Sequence, residues 1–168
     1  MAKSDSFFIR ATTAFNGTTF AQSSIDLGAY VDALGKSVLR IHNIAVQWGD
    51  PTDVLTPVAG DTEVNTFQLT TQSQTAMVPI TDKSVIASGK LQASQGNAGV
   101  TTGFYTDSLD VAPQHWTNGY LVGVEQIYLG VDSSDASAIA IANCNIMLEC
   151  TVETLSQSAA LALALSQQ

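Results

Sequence analysis

Charge is what this 168-residue sequence has least of. Charged residues make up 12% of it, against about 25% in a typical soluble domain. An isolated monomer stays dispersed behind a charged surface, so the deficit implies a surface that meets other protein. Only six residues are basic: Lys3, Arg10, Lys36, Arg40, Lys83 and Lys90. They are scattered, and neither end carries a basic arm. Nucleic-acid binding rests mainly on neutralising phosphates with Lys and Arg. A chain of net charge −9 therefore should not coat DNA or RNA directly.

Histidine is equally scarce. His42 and His115 stand far from any local nucleophile signature such as GxSxG. Two scattered histidines cannot supply the clustered ligands of a cupin-type metal site, so the expectation is no enzyme, no cofactor and no small-molecule substrate. Cysteine is limited to Cys144 and Cys150. In one strand, six residues at ~3.3 Å each put them about 20 Å apart, beyond disulfide reach. Both are expected to be buried thiols acting as small apolar side chains. Long apolar runs are missing too. The opening "MAKSDSFFIRATT" has an apolar run of three, FFI, where a signal peptide needs roughly 7–15. No stretch approaches the ~20 apolar residues of a membrane span. Synthesis in the cytoplasm is the expectation.

What the sequence does have is a period of two, the signature of strands. Over 140–152, Ala140, Ala142, Cys144, Ile146, Leu148, Cys150 and Val152 share one parity. Residues 37–48, "SVLRIHNIAVQW", and 64–71 read as strands, with 75–80 a further one and 6–15, 18–26 and 100–106 as shorter ones. Segment 119–131 reads as one long strand whose apolar parity switches near Glu125–Gln126, as a β-bulge would cause. It is expected to form a hairpin with 138–153. Residues 80–95 are open between strand and helix, and 108–116 reads as an extended loop with a turn at its proline. About eight strands without crossover helices predict an all-β, antiparallel β-sandwich. Their uneven spacing favours jelly-roll or Greek-key wiring.

The end of the chain differs. "SQSAALALALSQQ" has helix composition, with Ser156 as N-cap. Its alternating Leu161, Leu163 and Leu165 keep an extended form open. The expected division is a sandwich over 1–155 and an apolar tail over 156–168. Such a tail is stable only when docked, on a neighbouring subunit or across its own sandwich.

Other groups are weaker signals. Asp50, Asp53, Asp61 and Glu63, Asp107 and Asp110, and Asp132 and Asp135 read as solvated loop carboxylates, with a calcium ion bridging loops or subunits as the alternative. Trp48, Trp116 and Tyr120 read as anchors of loops to the core, with a sugar platform as the alternative.

On "FFIRATTAFNGTTF", "VLRIHNIAVQW", "GYLVGVEQIYLGV" and "ANCNIMLECTVETLS", the chain resembles the small single jelly-roll capsid proteins of tailless icosahedral viruses. The resemblance covers most of the chain and has no diagnostic motif. It implies a self-assembling subunit of a virion shell, made in the host cytoplasm, that partners copies of itself and other capsid proteins. With so little basic charge, an inner membrane or a separate basic protein should lie between shell and genome. The interface candidates are the two termini: Phe7, Phe8, Arg10, Leu161, Leu163 and Leu165. The competing expectation is a β-sandwich module that binds a glycan or receptor.

Overall fold

A computed structural model of the chain describes residues 3–14, 19–32, 36–52, 60–94, 96, 104–134 and 143–168. Nine strands and one helix form within these residues: β1 (Phe7–Ala14), β2 (Ala21–Asp26), β3 (Ser37–Trp48), β4 (Thr62–Thr70), β5 (Val85–Ser94), β6 (Phe104–Val111), β7 (Tyr120–Val122), β8 (Gln126–Ser133), β9 (Asn143–Thr154) and α1 (Gln157–Ser166). One antiparallel sheet runs β1-β9-β3-β7 and the other β2-β8-β4-β5-β6. The pairs are nested: β1 with β9, β2 with β8, β3 with β7, β4 with β5. The chain is thus one long double strand, rolled so that β9 also meets β3 and β8 also meets β4. That nesting is the wiring of a jelly roll, with β6 added outside β5.

The core lies between the sheets, and the period of two explains which residues enter it. Cys144, Ile146, Leu148 and Cys150 of β9 are buried against Leu39, Ile41 and Ile44 of β3 and against Phe67, Leu69, Ile127, Leu129 and Val131 of the facing sheet. Both cysteines are free and buried. Burial, and secondarily Glu149, pushes the Cys150 thiol up to about 12, so it stays protonated and packs as an apolar group.

Three sequence expectations are corrected here. Segment 119–131 is not one bulged strand. It splits into β7 and β8, which lie in different sheets, and its parity switches because the chain crosses the sandwich at Gly123–Glu125. β8 and β9 therefore do not form a hairpin. Residues 75–80 form no strand: Pro79 removes a ladder donor, and Val78 instead bonds through its N–H and C=O to the Gln68 side chain (3.1 and 2.6 Å). Residues 108–111, expected as loop, complete β6, and the turn at the proline is a single 3-10 turn, Pro113–His115. The ambiguous 80–95 segment resolves as β5. Ala140 and Ala142 lie outside the described residues.

The turn before β7 requires glycine. Gly119 has φ +61, a left-handed value, and a Cβ there would lie 2.2 Å from the Ile41 carbonyl oxygen. β3 itself carries one irregularity, a register shift between Ile41 and Asn43 against β9. His42 is the extra residue, and its Nε2 lies 3.0 Å from Thr151 Oγ1.

The outer face of the four-stranded sheet is closed by cross-strand polar pairs. Arg40 donates through Nε and Nη2 to the two oxygens of Glu153 at 2.7 and 2.8 Å, a bidentate pair. Its Nη1 donates to the Asn118 carbonyl. Asn43 donates to Glu149, and Lys3 adds a longer contact to Glu153 at 3.8 Å. The Arg40 hydrogen bonds hold the Glu153 carboxyl below its ordinary value of 4.5. Burial, then Lys3, pushes the His42 imidazole below 6.5.

Both shifts act in one direction. A depressed carboxylate contributes stability that is present above pH 4.5 and lost as pH falls through its lower folded value. A depressed histidine resists protonation in the fold, so stability also falls below pH 6.5. The Arg40 and Glu153 side chains are 15% and 10% exposed, between surface and fully buried pairs. Glu153→Gln should therefore cost about 2–3 kcal/mol at pH 7 and flatten the loss as pH falls below 4.5. Urea unfolding across that range measures both effects.

Candidate interaction surfaces

The six candidate residues fall on two surfaces that the fold keeps apart. Phe7, Phe8 and Arg10 lie on β1, and β1 and β7 are opposite edges of one sheet. The leucines lie on α1, which docks beside the residues that follow β7.

On β1 the strand period sorts the side chains. Phe7 turns inward, is half-buried and stacks on Tyr30 with ring centroids 4.8 Å apart. Phe8 and Arg10 turn outward. Phe8 is 51% exposed, and the Arg10 guanidinium lies 6.0 Å from its ring centroid, a cation–π arrangement. Beside them a groove of about 350 Å³ crosses the outer face of β1, β9 and β3. Its polar groups come from Arg10, Thr12, Gln47 and Asn145, and Met147 supplies an apolar wall. Thr12 donates to Asn145 Oδ1 at 2.7 Å, across the strand pair.

α1 forms because its composition favours it and its start is capped. Ser156 accepts from the Ala159 N–H at 3.3 Å, and alanine and leucine fill the turns. The side chains facing the sandwich are small. Ala160 and Ala164 are buried, while Leu161 and Leu165 are 46% and 61% exposed. Leu163 is half-buried against Gly123, where an added Cβ would lie 3.1 Å from Leu163 Cγ. A surface helix normally buries its large apolar residues; this one turns two of them outward.

The helix is held down by Gln167, which the sequence reading missed. Its Oε1 accepts from the Gly123 N–H at 2.8 Å, and its Nε2 donates to the Leu121 carbonyl at 2.7 Å. Its main-chain carbonyl accepts from Thr71 Oγ1 at 2.9 Å and Gln72 Nε2 at 3.2 Å. Lys83 Nζ donates to the Gln168 carbonyl. A helical spacing was present as Ala160, Ala164 and Gln167, but the alternating leucines obscured it.

The other sequence candidates do not converge. Tyr120 pairs with Ile41 near the middle of β3 and Trp48 pairs with Cys144 at its end. Seven residues separate them along the strand, about 23 Å, too far for one sugar platform. Trp48 packs edge-on to Phe67 with centroids 6.3 Å apart, Tyr120 is half-buried, and Trp116 is 55% exposed. Glu63 is no loop carboxylate: it sits buried in β4 and accepts from Asn65 Nδ2 at 3.0 Å. Asp132 and Asp110 likewise lie in strands, and Asp53 and Asp135 lie outside the described residues. Among the described residues no three His, Cys, Asp or Glu side chains gather as a metal site, and no helix is long and apolar enough to cross a membrane.

No protein-family model and no curated protein matches the chain. Solved structures resemble it at low identity. Merkel cell polyomavirus VP1, as an unassembled pentamer, matches with 8% identity and a TM-score of 0.46, over 90% of this chain and 96% of its own. Unassembled Washington University polyomavirus VP1 matches with 5% identity and 0.41, over 89% and 93%. VP1 of the trichodysplasia spinulosa-associated polyomavirus, in complex with 3'-sialyllactose, matches with 8% and 0.41, over 88% and 93%. The jelly-roll assignment rests on the strand wiring described above.

Replacing Gln167 with alanine should leave the Gly123 N–H and Leu121 C=O without partners, at about 1–3 kcal/mol. Hydrogen exchange should then show the α1 amides opening well before the sandwich, with the core strands unchanged.

Proposed function

We propose that this chain is a structural capsid protein, a single jelly-roll subunit that associates with copies of itself, and with other capsid proteins, into an icosahedral virion shell. The jelly roll alone does not decide this, since capsid, lectin and cupin domains share it. The observation that carries the reading is α1. It has no charged residue, puts alanines against its own sandwich and presents Leu161 and Leu165 to solvent. Exposed leucines at i and i+4 form one stripe, and covering that stripe stabilises an assembly. The charge deficit supports the same reading. Leu161, Leu165, Phe8 and Arg10 are the subunit contacts, with Phe7 and Leu163 setting their positions from beneath.

At net charge −9, the subunit keeps away from the genome's phosphates. An inner membrane or a basic protein fills that role in the proposed particle.

A second reading has one observation in its favour. The groove at Arg10, Thr12, Gln47 and Asn145 offers a cation, a hydroxyl and two amides over an apolar wall. That set suits a hydroxyl-rich ligand with a carboxylate, such as an acidic glycan.

Light scattering after size-exclusion chromatography, with electron microscopy of the peak, tests the first reading. The purified chain should form capsomers or larger particles. Leu161→Ser with Leu165→Ser should associate at least tenfold more weakly, yet stay folded, since exposed substitutions change stability by about 0.5 kcal/mol or less each. A wild-type monomer at every concentration, shifted by an acidic glycan, would favour the second reading.

A further inference from the structure

Four strands end the two sheets: β1 and β7 in one, β2 and β6 in the other. An edge strand exposes a row of unpaired N–H and C=O groups, and proteins blunt such edges by shortening, charge, bulges or cover. Three edges here are blunted. β7 has three residues. Where it stops, Gln114 continues its pairing: Oε1 accepts from the Ile44 N–H at 3.1 Å and Nε2 donates to the Ile44 carbonyl at 3.0 Å. β2 has six residues and ends in Asp26. β6 has a register shift against β5, and Asp110 on it is exposed.

β1 is the least protected: among the described residues its only devices are the charge of Arg10 at its middle and the Ser23 contact at one end. It runs eight residues in unbroken register with β9, without proline, carboxylate or bulge. Its free side faces a cleft of about 500 Å³, walled by Phe8–Thr12 on one side and Ser23–Asp26 of β2 on the other. The Phe7–Tyr30 stack closes one end of it. At the other end the Thr13 and Ser23 hydroxyls meet, and Ser23 Oγ donates to the Thr12 carbonyl at 3.2 Å. A volume of that size is typical of a ligand site.

Backbone groups in series along an extended edge match one kind of ligand, another extended strand. Arg10 narrows the choice. It stands exposed at the middle of β1, and among the described residues it forms no ion pair. The chain holds fifteen acidic residues against six basic ones, so a second copy has carboxylates to offer. Symmetric β1-to-β1 pairing would bring two Arg10 side chains together, which is unfavourable. A head-to-tail contact avoids this, and such contacts close into rings or extend without closing.

We propose that β1 is an acceptor edge, to which a second copy of this chain adds an extended, acidic segment lying in the β1–β2 cleft opposite Arg10. The inference rests on the self-association reading and gives it a mechanism.

Residue-resolved hydrogen exchange on the full chain tests it, with light scattering on the same samples from dilute monomer to associated state. On association, the β1 amides that face away from β9 should gain at least tenfold protection, while those bonded to β9 change little. Arg10→Glu should weaken association at least tenfold and lose that protection, and Arg10→Lys should retain most of both. Large particles whose outward β1 amides exchange as in the monomer would overturn the acceptor edge and leave the shell reading standing. Protection already complete at the lowest concentration would overturn it too, because the chain then covers its own edge. Unchanged association of Arg10→Glu would remove the acidic partner. A wild-type monomer at every concentration overturns the self-association reading itself.

Discussion

Everything in this fold depends on β9 pairing along both of its edges. Its twelve residues bond to β3 on one side and β1 on the other. Its inward parity of Cys144, Ile146, Leu148 and Cys150 forms the middle of one core wall. Its outward parity supplies Asn145, Glu149, Thr151 and Glu153, and each of these takes a hydrogen bond from or to a neighbouring strand. One strand thus fixes the register of the sheet, the middle of one core wall and the polar closure of the outer face. A slip of one residue would exchange the two parities and undo all three.

That closure also accounts for the scarcity of charge. The outer face is satisfied by amides, hydroxyls and a bidentate ion pair, so it needs few free charges to be compatible with water. The same economy leaves little to keep two copies apart. Leu161 and Leu165 on one side, and the long β1 edge on the other, are apolar or unpaired surface of the kind a partner covers.

The sequence made strands legible wherever one face meets the core and the other does not. β3 spans the residues expected of it, and the parity read for β9 holds from Cys144 to Cys150, beyond which Thr151 and Glu153 are buried by their polar partners on the outer face. Reading failed where tertiary context decided. The parity switch at Gly123–Glu125 looks the same whether a strand bulges or the chain changes sheets. Residues 75–80 look strand-like until Pro79 and the Gln68 amide are placed together. The tail showed its helix composition and its Ser156 cap, but leucines alternating by two concealed which face docks. Gln167 carried no local signal at all, because its partners at Leu121, Gly123, Thr71 and Gln72 are distant in sequence. The two interface candidates at the termini were visible only as apolar or basic residues. Their exposure, and their separation to opposite edges of a sheet, are products of the fold.

The nested pairing also sets an order of events. β4 and β5 lie close along the chain, whereas Phe7 pairs with Cys150, so the innermost pair closes a short loop and the outermost a long one. On loop-closure grounds the β1–β9 seam should form last. An interaction formed late acts mainly on the unfolding rate. Whatever grips β1 therefore acts as a kinetic clasp on the whole sandwich, visible as a slower unfolding arm while the refolding arm stays in place.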